Sequence, residues 1–97
     1  MNNLSDYQKN LLLEVYSKGL YIVSNEGVNY KCWLEDKKGL KLKTVNRRTV
    51  GILFDEGYIV PLKNDTKNFN LYHYELSDKT LNYIKRMNMW NNKSFKK

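Results

Sequence analysis

TVNRRTVGILFDEGYI, residues 44–59, reads as a short helix followed at once by a strand. At about 100° per residue, Val45, Val50, Ile52, Leu53 and Phe54 spread over most of a helical circumference. One non-apolar sector is left, made of Arg47, Arg48, Gly51 and Asp55. Such a helix should be buried on several sides. Its remaining face carries two arginines at the N-terminal end and a glycine whose missing side chain lets another molecule approach the backbone. A core helix with a solvated arginine edge and a helix that reads DNA both fit these residues.

Upstream of this stretch, Asn46 is the expected N-cap, which puts Arg47 and Arg48 in the first turn. Two cations there oppose the helix dipole, and a nearby phosphate would relieve the conflict. Asp36-Lys37-Lys38-Gly39 reads as a turn, after which LKLKT alternates Leu40 and Leu42 inward with Lys41 and Lys43 outward. LYIVS and VNYKCWLE form a hairpin around Asn25-Glu26-Gly27. Val28, Tyr30, Cys32 and Leu34 should face its core, with Asn29, Lys31, Trp33 and Glu35 on the other side. Further upstream, Ser5 and Gln8 make a capping box for a helix whose Tyr7, Leu11, Leu12, Val15 and Tyr16 recur at helical spacing, ending at Gly19.

Downstream, Gly57 closes the helix and YIVPLK is a strand whose Pro61, lacking an amide hydrogen, belongs on an edge or a bulge. Residues 63–68 are polar loop, FNLYHYEL returns as an antiparallel strand, and Ser77 caps a helix carrying Leu81, Tyr83, Ile84 and Met87. The last residues, MNMWNNKSFKK, lack periodicity and read as a mobile basic tail. The expectation is an α+β domain over residues 1–88, in the order α-β-β-β-α-β-β-α with a small antiparallel sheet, and a tail over 89–97.

A chain of 97 residues holds one modest core. Its 17 Lys and Arg against 10 Asp and Glu give +7, which favours polyanionic partners. The excess is concentrated: residues 31–48 hold seven Lys and Arg against Glu35 and Asp36, a local balance of +5. A solvated sheet face explains lysines on strands equally well. Trp33 near those lysines, with Tyr72 and Tyr74 on the returning strand, suits either base stacking or core packing.

Cys32 is the one cysteine, so no internal disulfide and no cysteine-based zinc site can form, and a reducing, cytoplasmic home is expected. Its strand register makes it a small buried hydrophobe. No apolar run has the length of a signal peptide or membrane span, so no membrane association is expected. His73 has no Cys or Glu pattern of catalytic or metal-ligand type beside it, no glycine-rich phosphate loop is present, and the carboxylates are scattered. The expectation is a protein without catalytic residues, metal or cofactor.

Helix, strand, polar loop, strand and helix in this order resemble the winged helix-turn-helix superfamily. Leu53, Gly57 and Ile59 follow its L-x-x-x-G-x-I spacing, and Tyr74-Glu75-Leu76-Ser77 leads into the last helix. The likeness covers about half the chain. Between Gly19 and Thr44 the chain has hairpin-like sequence where that superfamily has a strand and a helix, a variation similar to small bacterial toxin-like winged-helix proteins. The resemblance implies that the helix at 47–56 enters the major groove and that the hairpin at 58–76, with its tip at 63–70, is the wing. The expected contacts are then Lys41 and Lys43 from the sheet, Asn46, Arg47, Arg48 and Gly51 from the helix, and Lys63, Asn64 and Lys67 from the wing. The expected function is a small duplex-DNA-binding regulator of phage or mobile-element type, and the abundance of Asn, Lys and Tyr is compatible with an AT-rich genome. The alternative is a phage-type inhibitor or adaptor that meets a host protein or nucleoprotein complex. A sequence-specific regulator with one reading helix implies a homodimer, with the 5–18 and 78–87 helices as its interface, whereas the same helices packed on each other leave a monomer.

Overall fold

The computed structural model describes residues 4–25, 31–62 and 71–95, with 88–95 described by backbone alone. Its elements run α1 (Asp6–Lys18), β1 (Tyr21–Asn25), β2 (Lys31–Glu35), β3 (Lys41–Val45), α2 (Arg47–Asp55), β4 (Ile59–Pro61), β5 (Leu71–Leu76) and α3 (Asp78–Phe95). This is a mixed α+β fold with one five-stranded sheet in the order β3-β2-β1-β5-β4, antiparallel throughout.

Local chemistry accounts for the element ends. The Ser5 hydroxyl accepts the Gln8 N–H at 3.2 Å while the Gln8 side-chain oxygen accepts the Ser5 N–H at 2.8 Å, so two otherwise unpaired donors are satisfied at the start of α1. Between β2 and β3, the Asp36 carboxylate accepts the N–H groups of Lys38 and Leu40 at 2.9 and 2.8 Å. Gly57 turns the chain from α2 to β4 at φ +79°, a conformation that side chains with a Cβ rarely adopt. Pro61 lies on β4, an edge strand, where its missing donor costs no ladder bond.

The two faces of the sheet differ. Ile22, Leu34, Tyr74, Leu76, Ile59, Cys32 and Val45 share one face and pack with Leu11, Leu12 and Val15 of α1, Val50 and Leu53 of α2, and Ile84 of α3. Burying each large side chain in this core contributes about 1.5–3 kcal/mol. Glu14 of α1 ties the helix layer to edge strand β3: its carboxylate meets Lys43 at 2.8 Å and Lys18 at 3.1 Å. Near the end of the core, the Tyr58 carbonyl accepts the Ser77 N–H at 3.0 Å and the Thr80 hydroxyl at 2.8 Å, locking the start of α3 onto the α2–β4 turn.

On the other face, no described helix covers the sheet, yet Val23 is 0% exposed. Its direct neighbours across the ladder are Trp33 on β2 and His73 on β5. Glu35 joins them, accepting the Trp33 Nε1–H at 3.1 Å on one oxygen and lying 3.2 Å from His73 Nε2 with the other. Lysines finish this layer: Lys37 Nζ sits 3.7 Å from the Tyr21 ring centroid and Lys41 Nζ 4.5 Å from that of Trp33.

Two expectations fail in β3. Leu40 and Leu42, read as inward, are 61% and 45% exposed, and Lys43, read as outward, lies opposite Leu34 on the helix side. Val45 sets the phase: it pairs with Cys32 in the buried row, so Lys43, two residues before it, shares that face and Leu42 takes the other, while the register shift between Leu34 and Glu35 returns Lys41 to the Glu35 side. α3 also continues past Met87, where the apolar periodicity stops, to Phe95. No glycine or proline lies between 78 and 95 to end a helix once it has started.

Burial and geometry here make two measurable claims. The two lysine hydrogen bonds hold the Glu14 carboxyl below its ordinary value of 4.5, with Lys43 the larger cause. A lowered folded-state value stabilises the fold above the ordinary glutamate range, and that contribution disappears as pH falls through the lowered value. Glu14→Gln should therefore cost about 0.2–1 kcal/mol at neutral pH. Urea unfolding should show the difference from wild type vanishing as pH falls through that lowered value. Thr80→Val, which keeps shape and removes the hydroxyl, should cost about 1–2 kcal/mol in the same assay at neutral pH.

Candidate nucleic-acid interface

α2 follows β3 after the single residue Asn46, whose side-chain oxygen accepts the Thr49 N–H at 3.1 Å. This cap fixes where the helix begins and places Arg47 and Arg48 at its first two positions. Contrary to the expectation of burial on several sides, only Thr49, Val50 and Leu53 are buried among the nine residues of α2. Ile52 and Phe54 are 36% and 44% exposed. The helix rests on the sheet along one edge, against β2 and β4, and no other element is packed over its outer side among the described residues. Arg47, Arg48, Gly51 and Asp55 all lie on that outer side.

Beside α2 the sheet falls away into a cleft of about 880 Å³. Ser24 and Cys32, directly opposite each other on β1 and β2, form its floor with Tyr74. Two small side chains at paired core positions leave the volume that larger residues would fill. Phe54 closes one wall, its ring meeting Tyr74 edge-on with centroids 5.5 Å apart. Arg47, Arg48 and Gly51 line the opposite rim. Sequence reading missed Ser24 and the cleft itself, and offered Tyr74 only for base stacking or core packing. The available signal was the coincidence of Ser24 and Cys32 in the inward register of adjacent strands, which becomes visible only once the hairpin register is known.

The ends of α2 carry charges of the unfavourable sign. Two arginines and no acidic residue occupy the first turn, while Asp55 closes the helix and no basic residue occupies the last turn. At the C-terminal end the conflict is relieved from outside, where Lys79 Nζ donates to the Glu56 carbonyl at 2.8 Å. At the N-terminal end the two guanidinium groups reinforce the positive end of the dipole and so raise the local attraction for an anion.

Of the other expected contact residues, the sheet lysines fall elsewhere. Lys41 is on the helix-free face over Trp33, and Lys43 is held by Glu14. Asn46 stays beside Arg47 in the lining of the cleft, its side-chain oxygen accepting the Thr49 N–H. Lys63, Asn64 and Lys67 lie outside the described residues. The structure thus brings Arg47, Arg48 and Gly51 together and separates them from the sheet lysines.

No family model, curated protein or solved structure matches the chain significantly. Among the described residues, no group of three His, Cys, Asp or Glu side chains is placed to hold a metal ion, and no helix is long and apolar enough to cross a membrane.

Gly51 offers a direct check on this geometry. A Cβ built there meets nothing within 4 Å, and the residue is exposed in mid-helix. Glycine at such a position is about 0.8–1 kcal/mol less favourable than alanine. Gly51→Ala should therefore raise stability by roughly that amount in thermal or urea unfolding.

Proposed function

We propose that this chain is a small DNA-binding regulator of winged-helix type that inserts the outer side of α2 into the major groove. The supporting observation is the shallow seating of α2: six of its nine residues are exposed, and Arg47, Arg48 and Gly51 stand together on the outward side. A helix embedded along one edge can enter a groove about 12 Å wide, which a helix buried on several sides cannot. The chain's +7 charge supplies general attraction to phosphates. Arginine offers a bidentate match to guanine, and the bare backbone at Gly51 allows close approach. A stabilising alanine forgone at an exposed helix position is what a binding constraint on Gly51 accounts for. The α2–β4–β5 order supports the winged-helix reading, and the strand in front of α2 sets it apart from the helix-turn-helix pattern.

A protein partner is the second reading, favoured by Ile52 and Phe54, whose apolar side chains are exposed on the same helix. A homodimer belongs to the first reading if binding is sequence-specific. Leu11, Leu12, Val15 and Ile84 are already in the chain's own core, so its interface would use Leu13, Tyr83 and Met87 along the α1–α3 groove.

Salt-titrated binding to mixed duplex DNA tests the proposal, with sedimentation reading the stoichiometry. Arg47→Ala and Arg48→Ala should each cost about 1–3 kcal/mol where the arginine contacts a base. Gly51→Ala should weaken binding while stabilising the fold. Absence of duplex binding at low salt, together with a stoichiometric host protein recovered after nuclease treatment, would overturn it in favour of the second reading.

A further inference from the structure

The helix-free face of the sheet carries a second arrangement that the reading of α2 does not use. Tyr21 and Trp33 are diagonal neighbours on adjacent strands, since Tyr21 pairs with Glu35 and Trp33 with Val23. Diagonal pairs of this kind lie about 7–8 Å apart. Both rings are partly exposed, and each bears a lysine ammonium on its π-face, Lys37 on Tyr21 and Lys41 on Trp33. We propose that this Tyr21–Trp33 platform, with Lys31, Lys37 and Lys41 around it, is a binding site for single-stranded nucleic acid, independent of α2.

Three features support this occupant. First, the rings are preorganised. Trp33 is fixed by its indole hydrogen bond to Glu35, Glu35 is fixed by His73, and Tyr21 meets the His73 ring edge-on at 6.1 Å, so stacking a base orders nothing further. Second, the charge is complementary to a phosphate chain. Lys31, Lys37, Lys38 and Lys41 are exposed around the platform, whereas the oxygens of Glu35 accept from Trp33 and His73 and the Asp36 carboxylate caps the β2–β3 turn. Among the described residues, Glu75, in the Tyr21 row of β5, is the remaining exposed carboxylate on this face. Third, the lysines stand where an exchange is possible. A base that stacks on Trp33 or Tyr21 displaces an ammonium whose flexible stem then reaches the phosphate of the same nucleotide, so a ring–cation contact is replaced by a ring–base contact and an ion pair. A duplex keeps its base faces covered and gains only the ionic part.

The test uses the full chain carrying Trp90→Phe, which leaves Trp33 as the only tryptophan. Oligothymidylate should quench Trp33 emission, and log affinity should fall with log salt at a slope of about −0.7 per phosphate contact. Tyr21→Leu should weaken binding about tenfold or more. The Lys37→Ala/Lys41→Ala variant should weaken binding and flatten the salt slope by about 1.4. The Arg47→Ala/Arg48→Ala variant should bind oligothymidylate as wild type does, which separates this site from α2 whether or not α2 binds duplex. Three results would each overturn the proposal: unchanged Trp33 emission at low salt, wild-type affinity in a folded Lys37→Ala/Lys41→Ala variant, or equal quenching by polyglutamate or by duplex of the same length.

Discussion

Antiparallel pairing of β1 with β5 is the contact on which the rest of the structure depends. A central strand must satisfy hydrogen-bonding groups on both edges. The local hairpin supplies β2 for one edge of β1, and the other is filled only when β5 arrives from beyond α2. Through that pairing Ile22 lies between Leu34 and Tyr74, and Val23 between Trp33 and His73, so both residues reach 0% exposure on opposite faces. Without it the chain would be a three-stranded meander and a two-stranded hairpin, each with an unpaired apolar edge. Loop closure over this separation is slow relative to local pairing, which makes β1–β5 docking the expected late step of folding.

The same pairing explains how α2 can be shallowly seated without destabilising the protein. With β5 in place, Tyr74 and Leu76 join Ile22 and Leu34 in a core that α1 and α3 also cover. α2 therefore contributes only Val50 and Leu53 to that cluster and leaves its outer side exposed. Small residues at Ser24 and Cys32 extend this by keeping the sheet low beneath the helix edge. Most of the buried core is thus supplied by residues other than the exposed ones of α2.

The helix-free face solves a different problem. Val23 needs cover, and no described helix provides it. An indole, an imidazole and a shared carboxylate do so by forming a layer one side chain thick, with lysine stems over the aromatic rings. Aromatic and cationic groups are consequently presented outward on a rigid base, although their first role is to keep water from the middle of the sheet.

Near neighbours in the chain determined the element ends and the candidate helix. Ser5 with Gln8, Asn46 with Thr49, Gly57 and Pro61 each act within a few residues, so their consequences are legible in order along the sequence. The exposed Arg47–Arg48–Gly51 sector was legible for the same reason, since helical spacing alone puts those residues on one side. Only tertiary structure decided how far α2 is buried, because that depends on which elements stack above it. It also decided the orientation of β3, where the pairing of Val45 with Cys32 exposed Leu42 and turned Lys43 toward Glu14. Glu35 and His73 meet from positions 38 residues apart, and Ser24, Cys32 and Tyr74 meet beneath α2 from three strands. No local pattern encodes such encounters, because they follow from which distant strand satisfies the open edge of β1.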